Sequence, residues 1–113
     1  MSAEKRKFKR YLSNLEMAAR RVDGTAFQNV EVLNLSAGGF LIRTQMDLNV
    51  DDALECQLDF PSTNLQIGLQ ATVRHGSKGT DGHLYGLSIA ELPGMTTLSF
   101  DALLAAWFEE AET

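Results

Sequence analysis

Two short patterns hold the side chains best suited to chemistry. The first is Arg6-Lys7-Phe8-Lys9-Arg10, with two arginines four residues apart. The second is Asn34-Leu35-Ser36-Ala37-Gly38-Gly39, of the form N-x-S-x-x-G. A guanidinium offers five donors in a planar fork that matches phosphate oxygens and the O6/N7 edge of guanine. Asn and Ser exchange hydrogen bonds with a base, or hold an arginine in place. Gly39 permits a close approach or an unusual backbone angle. A guanine nucleotide with its phosphates would satisfy both halves. Each pattern alone is weak, because R-x-x-x-R occurs by chance in basic tails and N-x-S-x-x-G can be an ordinary turn. Their order and separation carry the information.

No catalytic constellation accompanies them. His75 and His83 flank a Gly-rich loop with no Cys pair or carboxylate cluster at metal-ligand spacing, so they read as surface or strand-end histidines. Cys56 falls in the apolar phase of its segment and reads as a buried, inert thiol. Ser36 lies outside any Gly-x-Ser-x-Gly. Asp47, Asp51, Asp52 and Asp59 are too irregular for a calcium loop. Trp107 and Phe108 read as core residues of a helix rather than a ligand platform. An enzyme is therefore not expected, and neither is a metal or a cofactor.

Charge is placed unevenly. Residues 1–10 carry five basic side chains and one acidic one, net +4, whereas the remaining 103 carry five basic and fourteen acidic, net −9. The first twelve residues therefore read as a flexible basic arm on an acidic body, 13–113. A solvated charge run is the bland alternative. The body would repel a long polyanion, so a compact anion reached by the arm suits the chain better than a duplex. With 113 residues and 44% apolar side chains the chain makes one domain with its own core. One cysteine, no run near the ~18–20 apolar residues of a membrane span, and no apolar stretch behind the basic start lead to the expectation of a cytoplasmic protein.

The elements that must position these residues are mostly strands. Leu15–Val22 and Thr25–Leu33 flank Asp23-Gly24 and read as a hairpin, although the second alternates only loosely. Phe40–Thr44 is a short strand. Leu54–Phe60 alternates, with Leu54, Cys56, Leu58 and Phe60 inward. Leu65–His75 alternates with Leu65, Ile67, Leu69, Ala71 and Val73 inward. His83–Leu92 is the last strand, ended by Pro93-Gly94. The period then changes to a helix presenting Leu98, Leu103, Leu104, Trp107 and Phe108, with Ser99 or Thr97 as cap and Asp101 in the first turn. The expected fold is mainly β: a small six-stranded antiparallel barrel, with a C-terminal α-helix plugging an open end or edge.

The two patterns, in this order and about two strands apart, resemble the PilZ domain family. Ala71-Thr72-Val73-Arg74 resembles that family's penultimate strand. Leu84-Tyr85-Gly86-Leu87-Ser88-Ile89 resembles its closing YG-hydrophobic-x-F strand, with Ile89 where Phe is usual. The resemblance runs over nearly the whole chain. It implies binding of the bacterial second messenger cyclic di-GMP. Arg6 and Arg10 resemble the arginines that grip phosphates and guanine edges. Asn34 stands where the family has Asp or Asn and would bond a guanine. Ser36 would contact base or phosphate, and Gly39 would let the turn wrap the ligand. Lys5 would add a phosphate contact and favour an intercalated ligand dimer, and Arg74 would stack on a guanine. An amide at position 34 in place of a carboxylate forgoes a charge-assisted bond. The expected device is a switch: ligand draws the arm onto the barrel, and the new surface signals to an effector protein in trans, in motility or biofilm regulation. Two alternatives stand beside it. One is a ligand-independent PilZ-like scaffold for motility or pilus proteins. The other, disfavoured by the acidic body, is a nucleic-acid-binding module.

Overall fold

The computed structural model describes residues 8–24, 26–61 and 63–111, with side chains to Glu109. Six strands form one closed antiparallel barrel: β1 (Tyr11–Arg21), β2 (Gln28–Leu35), β3 (Gly39–Thr44), β4 (Ala53–Phe60), β5 (Leu65–Ser77) and β6 (His83–Glu91). Their order around the barrel is β1-β2-β3-β6-β5-β4. Helix α1 (Thr97–Ala111) follows. The mainly β class, the six-stranded barrel and the C-terminal helix are as the sequence predicts. Among the described residues no helix is long and apolar enough to cross a membrane.

Alternation builds the interior. Leu54, Cys56, Leu58 and Phe60 of β4 and Ile67, Leu69, Ala71 and Val73 of β5 are all buried, as their period of two requires. Leu65, at the end of β5, is half-buried. Tyr85 is the largest fully buried side chain. Its hydroxyl donates to Met46 O (3.0 Å) and accepts from Leu48 N–H (2.9 Å), so one side chain ties the loop after β3 to the core. Helix α1 closes one barrel end. Phe100 and Leu104 are fully buried, Trp107 meets Phe60 edge-on at 5.2 Å, and Phe108 stacks on Tyr11 at 4.9 Å.

Several local expectations need correction. The first two strands are not a tight Asp23-Gly24 hairpin: the β1–β2 pairing stops at Ala19↔Gln28, and residues 22–24 and 26–27 lie outside both strands. β1 pairs with β2 on one edge and β4 on the other, and it runs on for Arg20↔Glu55 and Arg21↔Leu54 after the β2 pairing has ended, so the turn falls beyond the β1–β2 ladder. β1 opens at Tyr11, so Tyr11 and Leu12 belong to the barrel and not to the arm. β2 continues to Leu35 and therefore contains Asn34. The cap of α1 is Thr96, whose Oγ1 accepts from Ser99 N–H at 3.0 Å, rather than Thr97 or Ser99. Asp101 lies beyond the first turn, which holds no acidic residue. Leu98 is exposed, and Phe100 takes the core position instead.

Cys56 faces the barrel interior, and burial pushes its thiol up to about 12 from its usual 9.0. A thiol held neutral cannot act as nucleophile. At pH 8 the native protein should resist a thiol reagent and react promptly once unfolded in guanidinium. Because the folded value is raised, stability should also fall as pH climbs from 9 towards 12, measured by denaturant unfolding; prompt native labelling would contradict a buried thiol.

Candidate functional site

The site is made where strand alternation is broken. In β2, Val32 points inward opposite Ile42, and Leu35 points inward opposite Phe40. Two inward residues three positions apart cannot belong to one regular strand. The ladder slips between Val32 and Asn34, leaving Leu33 as an extra residue. The bulge turns Asn34 away from the core, beside Leu41 on β3 and Leu12 on β1. There its Oδ1 accepts a 2.7 Å hydrogen bond from Arg10 Nη1. The donor is charged, so the bond retains one ionic partner even though position 34 is an amide.

The turn after β2 is closed by its own residues. Ser36 and Gly39 exchange backbone hydrogen bonds (2.8 and 3.3 Å), and Ser36 Oγ, buried, accepts from Gly38 N–H at 3.2 Å and donates to Gly39 O at 3.3 Å. Gly38 O accepts from Ile89 N–H at 3.0 Å, which fastens the turn to β6. Of the two reasons weighed for Gly39, close approach is the one observed. A Cβ there would overlap the carbonyl oxygen of Leu87, while its φ is not positive. Ser36 thus spends its hydroxyl on shaping the turn.

Arg74 reaches the same place from β5. Its Nε donates to Ser88 Oγ at 2.9 Å, and its Nη1 lies 3.9 Å from Asp51 Oδ1, with both side chains more than half exposed. Arg10, Asn34, Ser36, Gly39 and Arg74 together line a single cleft of about 460 Å³. Lys5 and Arg6 lie outside the described residues. Phe8, His75 and Ser88 line the cleft too and were not singled out for it from the sequence. Phe8 packs partly buried against the core, its Cδ2 3.8 Å from the position a Cβ on Gly38 would take. An aromatic between two arginines was a signal available for it.

Cations of the body outside the cleft are matched by carboxylates: Arg20 with Glu55 (2.7 Å), Arg21 with Asp52 (3.4 Å), Arg43 with Glu31 (2.8 Å), and Lys78 with Asp47. The hydrogen bond from Lys78 holds the Asp47 carboxyl below its usual range. Among the described residues no group of His, Cys, Asp and Glu could hold a metal. The candidate cleft itself is lined by two further cations, Arg10 and Arg74, together with the Asn34 amide and backbone polar groups of the turn.

The model of the PilZ domain matches residues 4–104, which takes in most of the basic N-terminal segment, the whole barrel and about half of the helix. The chain belongs to the PilZ domain family. PilZ domains are binding and adaptor modules of cyclic di-GMP signalling rather than enzymes. Among solved structures, that of the Bacillus subtilis inhibitor of motility MotI/DgrA is similar, with a TM-score of 0.70 at 16% sequence identity. The match covers 96% of this chain and 50% of that one, so the chain spans half the length of that protein, and at this identity the likeness concerns the fold. Curated proteins give no match.

The geometry of this PilZ turn separates its two glycines. Gly39→Ala should destabilise the protein by about 1–3 kcal/mol, since β6 backbone must move to admit the methyl. Gly38→Ala meets only Phe8 Cδ2 and Ser36 Oγ at ordinary contact and should stay within about 0.5 kcal/mol of wild type. Urea unfolding of both variants checks this, and equal losses would remove the close-approach explanation.

Proposed function

We propose that this PilZ domain is a cyclic di-GMP receptor that changes the disposition of its N-terminal arm on binding and presents the altered surface to a partner protein. The observation that supports it is the convergence of Arg10, Asn34 and Arg74 on one cleft beside the Ser36–Gly39 turn. A cyclic purine dinucleotide carries two phosphates and two guanines. Arg10 and Arg74 supply cations on opposite walls, and Asn34 supplies an amide that can turn from Arg10 to a guanine edge. Lys5 and Arg6, by their place in the motif, would add further cations from the arm. Each charge-assisted bond contributes roughly 1.5–3 kcal/mol before the cost of ordering is subtracted.

The route from ligand to surface runs through the base of the arm. Lys9 lies 3.6 Å from Glu109 and 5.2 Å from the Tyr11 ring centre, and Tyr11 stacks on Phe108. Arg10 sits between these two contacts in sequence. A ligand that moves Arg10 off Asn34 therefore pulls on the seam between β1 and α1, and this seam is the surface offered to the effector. An effector in the motility apparatus is the first to test, given the description of MotI/DgrA as an inhibitor of motility.

Calorimetric titration with cyclic di-GMP should give a dissociation constant in the micromolar range or tighter, and Arg10→Ala should weaken it by at least tenfold, the equivalent of about 1.4 kcal/mol. Equal affinity in the two proteins would take Arg10 out of the mechanism, and no heat in either would leave the ligand-independent scaffold as the better account. In a parallel nuclear magnetic resonance titration, the amide signals of residues 4–10 should shift and broaden or rigidify as ligand is added. Unmoved arm signals alongside shifting cleft signals would dismiss the arm as a lid.

A further inference from the structure

The second break in strand alternation lies in β5, directly across the cleft from Arg10. Val73 pairs with Leu87 and His75 pairs with Gly86, so Arg74 is the extra residue of a bulge. Val73 is fully buried, while Arg74 and His75 are both exposed and both line the cleft. A regular strand would deliver one side chain here; the bulge delivers two neighbours to the same face. The residue opposite His75 is Gly86, and the imidazole fills the space its missing side chain leaves, for any Cβ at Gly86 would overlap His75 Nε2 and Cε1. The imidazole is thus seated over the β6 backbone, in the row Leu41–Gly86–His75 that forms the floor between Arg10 and Arg74.

We propose that His75 is a ligand-contacting residue whose imidazolium meets the anionic part of the bound cyclic dinucleotide, so that affinity rises as pH falls. The proposal rests on the cyclic di-GMP reading above and adds to it a titratable residue in the floor of the site. Imidazole is the side chain whose charge ordinarily changes between about pH 5 and 8. The charged groups around it define the sign. From the start of β1 comes Arg10, and from β5 Arg74, both cationic. From β3, Phe40 and Leu41, and from β6, Gly86, Leu87 and Ser88, contribute no charge to the cleft. Asp51 Oδ1 lies 3.9 Å from Arg74 Nη1. A doubly anionic ligand seated against the imidazole favours its protonated form. Binding then takes up a proton, and by linkage the dissociation constant falls as pH falls.

The test is calorimetry with cyclic di-GMP at about pH 6 and about pH 8 on the full chain, in buffers of different ionisation enthalpy so that proton uptake is read directly. Wild type should bind roughly three- to tenfold more tightly at the lower pH, with net proton uptake near neutrality. His75→Gln should bind with equal affinity at both values and take up no proton. His83 is the control: its Nδ1 accepts from Gly79 N–H at 3.2 Å and its ring meets Tyr85 edge-on, away from the cleft. His83→Gln should therefore keep the wild-type pH dependence. Wild-type binding that is strong and flat with pH would overturn the role of His75 and leave the receptor reading intact. So would a pH dependence that survives His75→Gln or disappears in His83→Gln. Absence of binding at either pH would sink the receptor reading and this proposal with it. Should His75→Gln not fold, proton uptake by wild type decides alone, since its absence excludes a protonated contact.

Discussion

A closed barrel imposes one rule on every residue in its wall: neighbours along a strand alternate between core and surface. This molecule depends on that rule for its interior and on two violations of it for its site. The bulge at Leu33 moves Asn34 to the outside next to Arg10, and the bulge at Arg74 places His75 beside it on the outer face. Without the first, Asn34 would point among Val32, Leu35 and Phe40, where an unpartnered amide costs several kcal/mol, of order 2–7. Without the second, the cleft would receive one basic or titratable side chain from β5 instead of two. The bulges stand on different strands, yet β3 and β6 lie between them in the barrel order, so both open onto one depression.

The rest of the fold serves to hold that depression at a fixed shape. Gly39 lets β3 lie against the Leu87 carbonyl, Gly86 makes room for the imidazole, and the Ser36 hydroxyl closes the turn upon itself. On the arm side, Arg10 donates to Asn34 at 2.7 Å, Phe8 packs partly buried against the core, Lys9 lies near Glu109 of α1, and the buried Tyr11 stacks on Phe108.

How far the sequence revealed this depended on whether the signal was local. The inward sets of β4 and β5 follow from strict alternation and are buried as expected, apart from half-buried Leu65. The alternation of Thr25–Leu33 was weak because β2 begins only at Gln28 and its regular phase ends at the Leu33 bulge, neither of which propensity can place. Asp23-Gly24 looked like a two-residue hairpin because the dipeptide favours one; the β1–β2 ladder in fact ends at Ala19↔Gln28, before the turn is reached. Leu98 and Phe100 exchanged roles for a similar reason, since helix phase is set by the barrel end it covers. Arg10, Asn34, Ser36, Gly39 and Arg74 were legible as candidates through their motifs, but Phe8 and His75 were not, because nothing in one dimension says that they meet.

The sequence by itself determined the class of fold, the basic arm on an acidic body, and the two motifs that assign the chain to the PilZ family. These are properties of residue type, charge and short spacing, which act over a few bonds. Only the tertiary structure decided which face Asn34, Arg74 and His75 present, why Gly39 must lack a side chain, and that the arm's base is clasped to α1. Those follow from ladder register and barrel closure, in which strands far apart in the chain dictate to one another where a side chain is allowed to point.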